Sequence, residues 1–106
     1  MKSLDKNLLE TVTQRLVAEF QPEQVWLYGS HVWGHPHDDS DVDLFVVVPE
    51  SQETPIGRSQ RAHRCLRGLR MPKDVLVETR REVDRVRGVK TSLENAILTR
   101  GRRLYG

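Results

Sequence analysis

Residues 41–48 read Asp-Val-Asp-Leu-Phe-Val-Val-Val, and this segment constrains the fold more than any other. A strand with one wet face alternates polar and apolar residues, whereas the run at 44–48 is apolar throughout. Such a run belongs to a strand covered on both sides, and therefore to a sheet that carries helices on its faces. The start of the same strand is different. Asp41 and Asp43 flank Val42, so alternation sets both carboxylates on one face, roughly 7 Å apart at about 3.3 Å per residue. Like charges on a buried strand repel one another and resist losing water. A divalent cation relieves both problems, and paired carboxylates are what Mg²⁺ takes from a protein when phosphates supply other ligands. Seen alone, the pair also fits an exposed strand start with a capping Asp.

The rest of the chain supplies the covering elements. Leu4, Leu8, Leu9, Val12, Leu16 and Phe20 recur at helical spacing, which predicts a helix over residues 3–20, with Ser3 as N-cap and Asp5 in its first turn. Residues 25–28 form a short β-prone run that stops at Gly29. Residues 30–40, rich in Gly, His, Pro, Asp and Ser, read as a loop that could open with one helical turn. Residues 50–57 read as a linker with Pro55 and Gly57. Residues 58–70 read as a helix that Met71-Pro72 breaks, and residues 74–79 as a third strand opened by Asp74. Helical signals return at 81–87 and from about 92, where Ser92 is the candidate cap and Gly101 the stop. Residues 102–105 fit either a short strand or a tail. The expectation is a single α/β domain over 1–106, a small sheet flanked by helices.

Charge is unevenly placed. Residues 1–55 carry 3 Lys+Arg against 10 Asp+Glu, and residues 56–106 carry 14 against 5. Clustered carboxylates favour cations, while a basic half favours phosphate, nucleic acid or an acidic protein surface; two solvated faces would look the same. Arg58, Arg61, Arg64, Arg67 and Arg70 recur every third residue, so they wind around a helix rather than forming a flat patch. Without interleaved aromatics they read as a solvated face or an acidic-protein contact, not a nucleic-acid site. No apolar run reaches membrane-spanning length and no signal peptide opens the chain, so a cytoplasmic location is expected. The single Cys65 excludes an internal disulfide. His31, His35 and His37 lack a strong zinc spacing and read as a polar loop. Trp26 reads as core, and Trp33 as packing with the option of stacking on a base or partner.

The chemistry-bearing residues fall into one pattern: Gly29-Ser30, ten residues, then Asp41-Val42-Asp43. Gly-Ser directly after a strand can present backbone N–H groups and a hydroxyl to phosphate oxygens, although most such pairs are plain turns. Together with Gly34, Ser40-Asp41, the strand at 44–48, Lys73-Asp74-Val75-Leu76-Val77 and the ending at 96–105, this pattern resembles the minimal nucleotidyltransferases that share the polymerase beta catalytic core. The resemblance covers nearly the whole chain. The histidine-bearing loop at 31–39 departs from it, where relatives often carry basic or small residues.

The resemblance implies a polymerase beta-type nucleotidyltransferase fold and a Mg²⁺-dependent transfer of a nucleoside monophosphate from ATP. Asp41, Asp43 and Asp74 would be the catalytic residues and the ligands of two Mg²⁺ ions. Gly29, Ser30 and Ser40 would bind the nucleotide. Chains of this size resemble the antitoxin half of HEPN–nucleotidyltransferase toxin–antitoxin pairs. That implies AMP transfer to a tyrosine of a cognate HEPN ribonuclease toxin, in a hetero-oligomer with it. The alternatives are a non-catalytic antitoxin that acts by occlusion, and a nucleotidyltransferase acting on RNA or a small molecule.

Overall fold

The computed structural model describes residues 5–34, 41–71 and 73–106. Nine elements follow in the order α1 (Lys6–Phe20), β1 (Gln24–Tyr28), α2 (Ser30–Trp33), β2 (Val42–Val48), α3 (Pro55–Cys65), β3 (Lys73–Thr79), α4 (Arg80–Val86), α5 (Leu93–Arg100) and β4 (Arg102–Tyr105). The four strands form one mixed sheet in the order β3-β2-β1-β4. β2 runs parallel to β3 and antiparallel to β1, and β4 closes against β1 as an antiparallel edge. The ending at residues 102–105 is thus a strand rather than a tail.

Alternation along β2 explains the two layers. Val42, Leu44, Val46 and Val48 point to one face, where they join Val25, Leu27, Val75 and Val77 beneath α1 and α3. Leu9, Val12 and Leu16 come from α1, and Ala62 from α3, all at the spacing an amphipathic helix requires. Phe45 and Val47 point the other way. They meet Tyr28, Val83 of α4 and Ile97 of α5, with Trp26, Leu76 and Leu98 half-buried around them. The strand covered on both sides is therefore real, and Phe45, Val46 and Val47 are all fully buried.

Several helix boundaries differ from expectation, each for a local reason. Asp5 is the N-cap of α1, its carboxylate accepting from the N–H of Asn7 at 2.8 Å; Ser3 and Leu4 lie outside the described residues. α3 starts inside the expected linker. Thr54 caps it through the Gly57 N–H, and Pro55 occupies the first turn, where its fixed φ helps and its missing N–H costs nothing. The same helix ends at Cys65, short of Met71, so Arg67 and Arg70 stand beyond it; Pro72 is outside the described residues. α4 opens on a capping box in which Thr79 and Glu82 satisfy each other's backbone N–H groups. Ser92 caps α5 and Gly101 follows it, as the sequence predicts.

The arginine series is the largest correction. Arg58 is 4% exposed, not on a solvated face. Its Nη1 donates to the Val77 carbonyl at 2.9 Å and to Glu82 at 2.7 Å, and Nη2 donates to the second Glu82 oxygen at 3.0 Å. This two-pronged pair ties α3 to α4 across the edge of β3. Arg61 is also engaged: it lies over Phe20 and bridges Glu19 and Glu53. Only Arg64, Arg67 and Arg70 fit the expectation of exposure. Among the described residues no helix is long and apolar enough to cross a membrane.

Candidate active site

The site lies on the α4/α5 face of the sheet, at the end where β1 finishes and β2 and β3 begin. Tyr28 is the register partner of Asp43, and Asp43 is the register partner of Asp74. Three neighbouring strands thus carry Tyr28, Asp43 and Asp74 side by side, about 4.8 Å from strand to strand. Asp74 belongs beside the β2 carboxylates because β3 pairs with β2 in parallel. Asp41, two residues before Asp43, stands exposed just ahead of β2.

Gly29 closes the arrangement from β1. Its φ of +83° is a left-handed value, and a Cβ there would lie 2.2 Å from Oδ2 of Asp43. Only glycine permits both the turn and the close approach. The chain then enters α2, a single turn in which Val32 and Trp33 donate to the Gly29 carbonyl at 2.9 and 3.0 Å. Ser30 is its first residue, so the pair expected to bind phosphate lies at a strand-to-helix turn, with Gly29 against the Asp43 carboxylate. Ser40, His35 and His37 lie outside the described residues. His31 is described, and its charge acts to lower the Asp43 pKa.

The electrostatics of this face are those of an acidic cluster. The Asp43 carboxyl is held above its ordinary range, first by burial and then by the charges of Asp74 and Asp41. The Tyr28 hydroxyl is pushed up to about 12, again by burial first and then by Asp43, Asp74, Glu78 and Glu94. Further along β3, Glu78 is pushed up to about 8 by burial and by its hydrogen bond and charge interaction with Glu94 of α5. A cleft of about 240 Å³ opens there, with Glu78, Glu82 and Glu94 in its wall.

A divalent cation fits the upper part of this face. Among the described residues no three His, Cys, Asp or Glu side chains gather into a ready-made metal cage. Mg²⁺ requires less than that, one or two carboxylates with water and phosphate oxygens completing the shell. Asp43 beside Asp74, with Asp41 at the strand mouth, offers hard oxygen donors whose mutual repulsion a cation removes.

Sequence reasoning did not find Tyr28 or Glu78. Tyr28 and Glu78 had a usable signal: Trp26 and Tyr28 alternate with Leu27, and Asp74, Leu76 and Glu78 share one face of β3. Trp33 lies with its ring centroid 6.1 Å from that of Tyr28 but is 36% exposed, so the expected packing is partial, and Trp26, expected in the core, is half-buried against the same apolar cluster.

The family model for "Polymerase beta, Nucleotidyltransferase" matches residues 10–106. A Sulfolobus solfataricus protein assigned as a nucleotidyltransferase shares the fold at a TM-score of 0.59 and 26% identity, over 74% of this chain and 70% of its own. A mutant of the MntA–HpeT toxin–antitoxin pair aligns at a TM-score of 0.63 and 20% identity, over 97% of this chain and 74% of the other. No curated protein matches.

Proposed function

Since the chain belongs to the polymerase beta nucleotidyltransferase family, we propose that it is an antitoxin that transfers AMP from ATP to a tyrosine hydroxyl of a cognate HEPN ribonuclease toxin. The observation that carries the catalytic part is the register of β2 and β3, which sets Asp43 beside Asp74 with Gly29 against the Asp43 carboxylate. The antitoxin part is supported by the likeness in fold to one member of a toxin–antitoxin pair along 97% of the chain.

Asp41, Asp43 and Asp74 would hold Mg²⁺, which supplies charge stabilisation at the α-phosphorus and at the attacking and leaving oxygens. Gly29 and Ser30 would orient the β- and γ-phosphates, Ser40 would assist them, and Asp74 would take the proton of the acceptor hydroxyl. The acceptor oxygen bonds to the α-phosphorus as the bond to the β-phosphate oxygen breaks and pyrophosphate leaves.

Mass spectrometry of the toxin after incubation with this protein, ATP and Mg²⁺ tests the reading. A mass gain equal to AMP on a toxin tyrosine, with loss of ribonuclease activity, is the expected outcome. Inhibition with no mass gain would show an occluding antitoxin instead. Label from ATP found on RNA or a small molecule, and none on protein, would reassign the acceptor.

A further inference from the structure

α2 contains four residues, too few to hold a helical turn in place unaided. Trp33, its last residue, is wedged between Tyr28 and Arg100: the Tyr28 ring lies at 6.1 Å and 43°, and the Arg100 guanidinium carbon at 4.8 Å from the indole centroid. Arg100 is itself anchored. It ends α5, where the helix dipole favours a cation, and Gly101 follows so tightly that a Cβ there would meet the Ile97 carbonyl at 2.4 Å and the Leu27 carbonyl at 3.2 Å. Leu27 is two residues from Gly29, so the end of α5 is pinned beside the turn that carries Gly29 and Ser30.

A guanidinium held over an aromatic ring keeps N–H donors that can still reach an oxyanion. Among the described residues Arg100 is exposed and forms no ion pair, a state it shares with Arg102 and Arg103 of β4, but of these three it is the one that lies over Trp33. The inner side of the Gly29 turn faces the Asp43 carboxylate, and Asp74 lies beside Asp43 on the neighbouring strand. A polyphosphate reaching this turn meets carboxylates on the inside and needs positive charge on the outside. We propose that Arg100, stacked on Trp33, is the cation that grips the β- and γ-phosphates of the incoming nucleoside triphosphate. The assignment rests on the nucleotidyl-transfer reading above and names a binding residue that reading lacks.

Calorimetric titration of the full chain with ATP and with AMP, each in the presence of Mg²⁺, tests it. Arg100→Ala weakens ATP about tenfold, the loss expected for a charge-assisted phosphate contact, and leaves AMP within about twofold of wild type. Arg100→Lys falls between, because it keeps the charge and loses the fork. Arg103, which lies 5.9 Å over Trp26 at the lower part of the same face, is the control. Arg103→Ala keeps the wild-type ratio of ATP to AMP affinity. Equal ATP binding by wild type and Arg100→Ala overturns the assignment, and so does an equal fall for ATP and AMP, which marks a merely structural role. A wild type that binds neither nucleotide overturns the nucleotidyl-transfer reading itself, and the assignment with it. Should Arg100→Ala fail to fold, undiminished ATP affinity in Arg100→Lys overturns the fork contact.

Discussion

The two faces of the sheet are built from the same strands and do opposite things. Beneath α1 and α3, every β2 side chain is apolar and buried, from Val42 to Val48. On the α4/α5 face only the lower part is apolar, at Phe45 and Val47, while the upper part carries Asp43 beside Tyr28 and Asp74. The covering helices differ in the same sense. α1 has 15 residues and α3 has 11, whereas α4 has 7 and α5 has 8, so the second layer is built from shorter helices. Consecutive residues Val42, Asp43 and Leu44 therefore belong to different tasks. One face supplies stability, and the other brings like charges together.

Asp43→Asn and Leu44→Ala, one residue apart, separate the two tasks. Asp43→Asn removes a carboxylate from the acidic cluster, and nucleotidyl transfer falls roughly a thousandfold or more, equivalent to about 4 kcal/mol of transition-state stabilisation. Its thermal midpoint holds or rises, because burial and the charges of Asp74 and Asp41 already disfavour ionised Asp43. A midpoint several degrees lower, or activity near wild type, would contradict the assignment. Leu44→Ala reverses the pattern. Leu44 is fully buried, and its truncation leaves a cavity between the sheet and the helices above it, at a cost of about 3 kcal/mol. Denaturant unfolding reads that loss, while the specific activity of the folded fraction stays close to wild type. Comparable loss of activity per folded molecule would mean that the two faces are not independent.

Much of this division is legible in the sequence, because it rests on local rules. Strand alternation puts Asp41 and Asp43 on one face, Gly29 stops the first β-prone run, and Ser92 and Gly101 bound the last helix. What stayed hidden depended on distance along the chain. Nothing local marks Arg58 as buried, since its partner Glu82 is 24 residues away and belongs to a capping box on another helix. Strand order was equally hidden, so the neighbourhood of Asp74 and Asp43 was expected from family resemblance rather than from spacing. The start of α3 was misread because Pro55 and Gly57 suggest a loop, although a proline in the first turn after a capping Thr54 is a helix start. Arg100 was one arginine among many until Trp33 and Gly101 placed it.

A smaller effect is expected within the acidic face itself. Glu78 sits four residues below Asp74 on β3, with Glu94, Glu82 and Arg58 around it, and its pKa is raised from 4.5 to about 8. The native protein therefore holds this proton more tightly than the unfolded chain does. Stability from Glu78 is full below about pH 4.5 and is lost as pH rises toward 8. Glu82 has the opposite sign: its pKa is lowered to about 2, chiefly by its hydrogen bond to Arg58, so its stabilisation is present above pH 4.5 and lost below it. Glu78→Gln keeps the shape of the neutral acid and removes the titration. Its melting temperature should match wild type near pH 5 and exceed it by about 2–4 °C at pH 8.5, a modest gain because the group is partly exposed and screened. The acid limb set by Glu82 should remain in both proteins. Melting curves that run parallel from pH 5 to 8.5 would show that Glu78 ionises freely, and that carboxylate repulsion is confined to the upper end of the sheet around Asp43.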